Sequence, residues 1–198
     1  MHRVTTGAIA FSVFLLASGC SKAIGGDPTT PPRPTSTSAA LPTPSAPPVH
    51  RPIDMDPYLS KPCALTPVED LRAFDLGAEV RQLEQFSRDL ASCSSSGDLD
   101  AGSLDLALFE ASPVGSPLVM AYHHKTSSEV FEPLEISGMP AVRYGSGEAG
   151  DSCYVAVGTD SDQGFRIDYR PGKPAPDFAD TCDSAVSAAE IVVGRLGV

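Results

Sequence analysis

Adjacent histidines are the first feature of this chain whose chemistry could serve catalysis or metal binding. His123 and His124 follow one another directly, so on a helix their side chains would point about 100° apart and could not share one ligand face. No carboxylate motif accompanies them. We therefore interpret the pair as a solvated helix end rather than as a metal site or a general base.

Alternating aspartates form a second candidate site. Asp160 and Asp162 precede Gly164, with Asp168 further on, and alternate carboxylates can converge on Ca²⁺. The glutamate that a calcium loop needs at its last position is replaced by Pro171, and the segment falls where a hairpin must turn. The pattern favours a hairpin turn, and we predict no metal and no other cofactor.

Nucleophile motifs are also weak. Ser146 lies between two glycines, but no Lys-Ser/Thr pair or helix follows it, and the GxSxG pattern of a nucleophile elbow is missing. No Ser, His and Asp are spaced so as to indicate a triad. Asp177, Asp180 and Asp183 surround the predicted start of the last helix, where carboxylates cap free backbone N–H groups. We therefore predict no catalytic residue and no enzyme activity.

The N-terminus is typical of an exported lipoprotein. His2 and Arg3 precede an apolar run, Ala8 to Leu16, which is too short to span a bilayer but suits a secretory signal. Small residues then precede Cys20, as in the bacterial lipobox, where cleavage leaves the cysteine N-terminal and diacylated, with palmitate as one such acyl chain. Residues 1–20 are predicted to be this signal peptide; the alternative is an ordinary secretory signal cut elsewhere.

Residues 21–56 are predicted to be a disordered tether. They are rich in Pro, Ser and Thr, contain no aromatic residue and cannot build a core. Their acidic and basic residues are equal in number, so the acidity belongs to residues 57–198, whose 22 acidic and 10 basic residues give a formal net charge of -12. Such acidity argues against a nucleic-acid partner. We predict a protein held on the extracytoplasmic face of the cell membrane by its lipid.

The four remaining cysteines, Cys63, Cys93, Cys153 and Cys182, are an even number in an exported chain and predict two disulfides. Three pairings are possible. We favour Cys63 with Cys93 and Cys153 with Cys182, because each pair then closes a short loop of neighbouring chain. A zinc site is the rival interpretation, but the close Cys-x-x-Cys spacing that it usually needs is missing.

The elements that position these residues indicate a mixed α+β domain over residues 57–198. Thr66 and Glu69 form a capping box for a helix that should end at Gly77. Residues 79–90 are compatible with a helix or with irregular structure. Leucines alternate along a strand at 104–110, and Ser116 is predicted to cap a short helix.

Later segments complete the predicted fold. Turn residues separate strands at 129–136, 139–144, 152–158 and 164–170. An apolar stripe from Cys182 to Leu196 predicts a closing helix. The expected fold is an antiparallel sheet of about five strands, with N-terminal and C-terminal helices packed on it.

A set of short sequence phrases carries a family resemblance between Pro62 and about Leu196. The phrases are Cys63-Ala-Leu-Thr-Pro67, Cys93, Ser112-Pro-Val-Gly-Ser-Pro117, Ile136-Ser-Gly-Met-Pro-Ala-Val142, Cys153-Tyr-Val-Ala-Val157 and Cys182. Together they resemble actinobacterial lipoproteins with an extracytoplasmic domain of unknown function, the LprB-like lipoproteins. Ser95 departs from that family, which often has Trp at this position. The resemblance implies no enzyme activity and transfers no catalytic residue.

These observations predict a non-catalytic accessory module of the cell envelope. Its expected partners are the membrane, through the lipid, and an envelope protein or a small apolar ligand held on a concave sheet face opposite the helices. An extracytoplasmic hydrolase is the competing class, and a pocket with two carboxylates of perturbed pKa would favour it. A structural spacer, with no pocket, is the third.

Overall fold

The computed structural model describes residues 45–76, 79–87, 90–97, 100–109, 115–173 and 176–197, without the side chains of residues 83–87. The predicted signal peptide, Cys20 and the first part of the predicted tether lie outside the described residues. Within the described ranges, no helix combines the length and the apolar character needed to cross a membrane.

One antiparallel sheet forms the centre of the domain. Over its described residues it has seven strands in the order β1-β2-β3-β7-β6-β5-β4, so the predicted number of about five was too low. The strands are β1 Glu79–Ser87, β2 Leu90–Ser96, β3 Ser103–Phe109, β4 Val130–Ile136, β5 Met139–Gly145, β6 Cys153–Gly158 and β7 Gly164–Arg170. The last five match the five predicted strands.

Of the two additional strands, β1 occupies the segment 79–90 that we interpreted as helical or irregular, and β2 begins at its end, at Leu90. β1 pairs antiparallel with β2, and β2 with β3. In β2 the buried residues are Ala91, Cys93 and Ser95, and they alternate with half-buried positions. Serine stands at both kinds of position, so the twofold period of a strand is hidden in the sequence. Pairing with β3 and burial of Cys93 decide the structure here.

The first predicted helix is much shorter than its sequence pattern indicates. A single turn, α2 Val68–Leu71, continues as a 3₁₀ helix, Arg72–Phe74, and ends at Asp75 in the left-handed conformation. The capping box does not form, because Pro67 occupies the N-cap position and Thr66 is buried. Before it lie α1 Asp56–Leu59 and a 3₁₀ helix, Pro62–Leu65.

Two helices follow the capping chemistry of the sequence. The Ser116 hydroxyl accepts a hydrogen bond from Val119 N at 3.3 Å and opens α3, Pro117–His123. A 3₁₀ turn, Lys125–Ser127, follows α3. The Asp177 carboxylate accepts one from Asp180 N at 2.9 Å and opens α4, Phe178–Arg195. The closing helix is therefore confirmed, and its stripe from Cys182 faces the core.

The helices lie on both faces of the sheet. α4 and the N-terminal helices cover one face and enclose the main core, in which Leu104, Leu106 and Leu108 are completely buried. α3 lies on the other face and buries a smaller cluster with Val142 and Ala156 of β5 and β6. The domain thus has a large core and a small one, separated by the sheet.

Both predicted disulfides are present. Cys63 is bonded to Cys93, with Cα atoms 5.0 Å apart, and links the first 3₁₀ helix to β2. Cys153 is bonded to Cys182, with Cα atoms 5.1 Å apart, and links β6 to α4. Each bond connects a covering helix to the sheet, so both reinforce the main core.

The packed part of the chain begins earlier than the predicted boundary at Pro57. Met55 is completely buried, and Val49 and Ile53 pack against the main core. We call residues 45–55 the strap. Composition places the strap in the tether, but its apolar side chains lie on the domain.

Candidate functional site

The strap is held mainly by the turn between β6 and β7. Ile53 N donates a hydrogen bond to Thr159 O at 2.8 Å. Met55 N donates to Gln163 Oε1 at 3.2 Å, and Gln163 Nε2 donates to Asp56 Oδ1 at 3.1 Å. The C-terminal part of the strap is therefore fixed to the sheet through the backbone and one amide side chain.

Between the strap, α3 and the β6–β7 turn lies a cavity of about 470 Å³, which we call the strap groove. Its walls are mostly apolar, and its polar groups come from three separate segments. The apolar lining residues are Ala46, Pro47, Pro48, Val49, Leu118 and Val119, and the polar ones are Ser45, Ser116, His123, Asp160 and Ser161.

The close approach of strap and helix depends on a glycine. A Cβ atom on Gly158, at the end of β6, would lie 3.0 Å from Leu118 Cδ2 and 3.2 Å from Val49 Cγ2. Both distances are tighter than ordinary van der Waals contact. The missing side chain thus leaves room for both Val49 of the strap and Leu118 of α3 beside the end of β6.

The polar groups of the strap groove lie on separate segments, from which they could orient a bound ligand. His123 is exposed at the end of α3. Asp160 Oδ1 accepts a hydrogen bond from Ser161 N at 2.6 Å within the turn, and no hydrogen bond joins His123 to Asp160 among the described residues. An apolar cavity with a few separate polar groups is the usual form of a small-molecule site.

The rest of the α3 side of the sheet carries a row of polar residues. Tyr144, Tyr154, Asp168, Asp105 and Ser94 are register neighbours on five consecutive strands of the sheet. Two carboxylates therefore stand directly opposite each other. Burial raises the pKa of Asp168, the charge of Arg166 opposes this rise, and the neighbouring charge of Asp105 adds to it.

Arg166 fills the space beside this row. Its Cζ lies 5.7 Å from the ring centroid of Tyr154, which stacks on Tyr144 at 5.3 Å. Burial raises the pKa of Tyr144, and Arg166 opposes this shift. In the described ranges, no three His, Cys, Asp or Glu side chains form a group that could hold a metal ion.

The predicted site residues are dispersed by the fold. His123 and His124 are exposed at the end of α3, in agreement with a solvated helix end. Asp160 and Asp162 lie in the β6–β7 hairpin turn, where Gln163 O accepts hydrogen bonds from the backbone N–H groups of residues 159 and 160. Asp168 lies further along, inside β7, so the fold does not bring it together with Asp160 and Asp162.

One capping prediction is wrong. Asp177 caps α4, and Asp180 lies in its first turn, but the Asp183 carboxylate accepts a hydrogen bond from Arg143 Nη1 at 2.8 Å. Arg143 also donates to Glu132 Oε2 at 2.7 Å. Asp183 lies beyond the first turn of α4, so it is too far along the helix to cap the free N–H groups. It instead joins α4 to strands β4 and β5 through Arg143 and Glu132.

Sequence reasoning also missed the strap groove and the carboxylate pair. Asp105 and Asp168 are far apart in the chain, and only the register of β3 against β7 brings them together. On the sheet face opposite α4, where we predicted a concave surface, α3 covers one part and polar residues such as Ser94 line another. Apolar residues at 46–49 were the available signal for the groove.

The fold and the groove define a disulfide-linked α+β domain with a small-molecule-sized cavity beside its N-terminal strap. The chain matches a family model described as protein of unknown function (DUF3558) over residues 15–195. The protein therefore belongs to this family. No curated protein and no solved structure matches the chain.

Proposed function

We propose that this protein is a lipid-anchored accessory module of the cell envelope that binds a small, mainly apolar molecule in the strap groove. The strap groove carries the proposal. Its volume of about 470 Å³ lies within the range of about 300–1,000 Å³ that is usual for ligand pockets. A ligand with one or two polar atoms would match its apolar walls and separate polar groups.

The envelope location is supported by the chain itself. Two disulfides are stable in an oxidising compartment, and the residues before Cys20 follow the lipobox pattern. The resemblance to LprB-like lipoproteins points to the same location. Two acyl chains on Cys20 would hold the protein firmly on the membrane surface.

A test of location uses the anchor residue. Cys20→Ser should release the protein from the membrane fraction, while a Ser21→Ala control should remain bound and carry acylated Cys20 by mass spectrometry. A Cys20→Ser protein that stays on the membrane would contradict lipid anchoring.

A test of binding uses tryptophan substitutions that fill space. Val119 lines the groove, whereas Val68 is 37% exposed and lies elsewhere. The full chain, reconstituted in nanodiscs, should be stabilised against heat by menthol, an apolar alcohol. Val119→Trp should abolish this stabilisation and the matched Val68→Trp control should keep it. Equal responses in both variants, or none in the parent chain, would contradict binding in the groove.

One observation favours a second candidate, an extracytoplasmic hydrolase. Asp168 has a raised pKa and lies opposite Asp105 on the neighbouring strand. Paired carboxylates in which one has a raised pKa are typical of glycoside hydrolysis. The pair lies outside the strap groove. Turnover of a chromogenic glycoside that is lost in Asp168→Asn would establish this candidate, and no turnover by the parent chain would exclude these substrates.

A further inference from the structure

The strap supplies a large part of the groove wall. Residues 45–49 of the strap line the groove, facing α3 and the β6–β7 turn. A molecule in the groove would therefore contact both the folded domain and the chain that leads to the predicted tether. Binding and the position of the strap must then be linked.

The strap is attached unevenly. Ile53 and Met55 each donate a backbone hydrogen bond to the β6–β7 turn. In the described part of the chain, residues 45–52 make no hydrogen bond, and Pro47, Pro48 and Pro52 have no N–H to donate. Among the described residues, the groove-lining half contacts the domain through its side chains.

These contacts lie at three places. Val49 lies beside Gly158, where Leu118 of α3 also approaches, and the Arg51 guanidinium lies against Gly138 in the β4–β5 turn. Ala46 is half-buried against the small core. Release of residues 45–52 would therefore uncover Val49 and Ala46 but would break no backbone hydrogen bond among the described residues.

Because the strap is rich in proline, it gains less conformational entropy on release than a flexible sequence would. Prolines restrict the backbone to extended conformations even in water, so docking of the strap costs little conformational entropy. A ligand that contacts the docked strap would shift any equilibrium between docking and release toward the docked state.

We infer that the strap is a movable wall: ligand in the groove fixes residues 45–52 on the domain, and release of those residues empties the groove. This inference rests on the proposed function, because it concerns the same site. Thermodynamic linkage makes the effect reciprocal, so weakening the strap must weaken ligand binding. At the membrane, ligand would shorten the free part of the tether.

The absence of tryptophan from the chain permits a specific reporter. His50 is exposed and does not line the groove, so His50→Trp places one fluorophore on the strap. In nanodisc-bound full chain, menthol should raise the fluorescence anisotropy of this residue. Arg51→Ala, added to the reporter chain, should lower the anisotropy without menthol and weaken menthol binding by about threefold to tenfold.

Arg72→Ala is the matched control, because Arg72 is also exposed but lies on the 3₁₀ helix away from the strap. It should change neither the anisotropy nor the affinity. Menthol binding with no change in anisotropy, or with equal affinity in the Arg51 and Arg72 variants, would overturn the movable wall and leave the proposed function intact. Failure of menthol to stabilise the parent chain would overturn both.

Discussion

The two faces of the sheet are covered in different ways. On the α4 face, side chains such as Phe165 and Ile167 are completely buried, and two disulfides connect the sheet to its covering helices. On the α3 face, one short helix buries a small cluster, and charged residues such as Asp168 share the remaining surface. The first face provides stability, and the second provides the groove.

The largest effect is expected from a cavity in the main core. Phe165→Ala removes a completely buried ring from the α4 face and should lower the free energy of unfolding by about 4 kcal/mol. Ser94→Ala, on the α3 face, should change it by less than about 0.5 kcal/mol. Denaturant titration of both variants checks the contrast, and similar losses would remove the difference between the faces.

Loss of a disulfide should have the next largest effect. The Cys153→Ser, Cys182→Ser double variant opens a loop with a sequence separation of 29 and should cost about 3 kcal/mol. Menthol binding should persist where the protein is folded, because neither cysteine lines the groove. Unchanged thermal stability would show that the bond between β6 and α4 adds nothing to the main core.

A smaller effect is expected at the cap of α3. Ser116→Ala removes the hydroxyl that accepts from Val119 N and should lower the free energy of unfolding by about 1 kcal/mol. Ser187→Ala, exposed on α4, is the control and should be nearly neutral. A neutral Ser116→Ala would mean that α3 is held by its apolar contacts alone.

The smallest effect concerns the carboxylate pair. Burial and Asp105 raise the pKa of Asp168, so the folded protein binds this proton more readily than the unfolded chain. The charged carboxylate therefore lowers stability above its folded pKa, and the cost disappears as pH falls below it. Asp168→Asn should stabilise at pH 7 by less than about 1 kcal/mol, since the site is partly screened by water.

The matched surface control is Glu135→Gln, which replaces an exposed carboxylate on edge strand β4 and should change the free energy of unfolding at pH 7 by less than about 0.5 kcal/mol. The difference in stability between Asp168→Asn and the parent should shrink as acid protonates the Asp168 carboxyl. If Asp168→Asn instead destabilised the protein at neutral pH, attraction of the Asp168 carboxylate to Arg166 would outweigh the cost of burying its charge.

Much of the fold was predictable where one physical signal acts locally. Ser116 and Asp177 accept hydrogen bonds from nearby backbone N–H groups, and the alternation of Leu104, Leu106 and Leu108 places all three in one core. The β1–β2 hairpin was missed because serines hide the alternation of buried and half-buried residues in β2. The helix after Thr66 was overestimated because capping residues indicate a start but not a length.

The functional surfaces were less predictable, because they join distant segments. The strap groove needs residues 45–49, α3 and the β6–β7 turn together, and the carboxylate pair needs the register of β3 against β7. Composition assigned the strap to the tether, since three of its eleven residues are prolines and none is aromatic. Burial of Met55 depends on a receptive surface that no local pattern describes.

The amino-acid sequence alone determined the mixed class of the domain, its later strands, its capped helices and an even set of cysteines. These depend on local hydrogen bonding and on short-range apolar periodicity, which are written in neighbouring residues. Only the tertiary structure decided the seven-stranded order, the docking of the strap and the contact between Asp105 and Asp168. Those features arise from the free energy of packing segments that are distant in the chain.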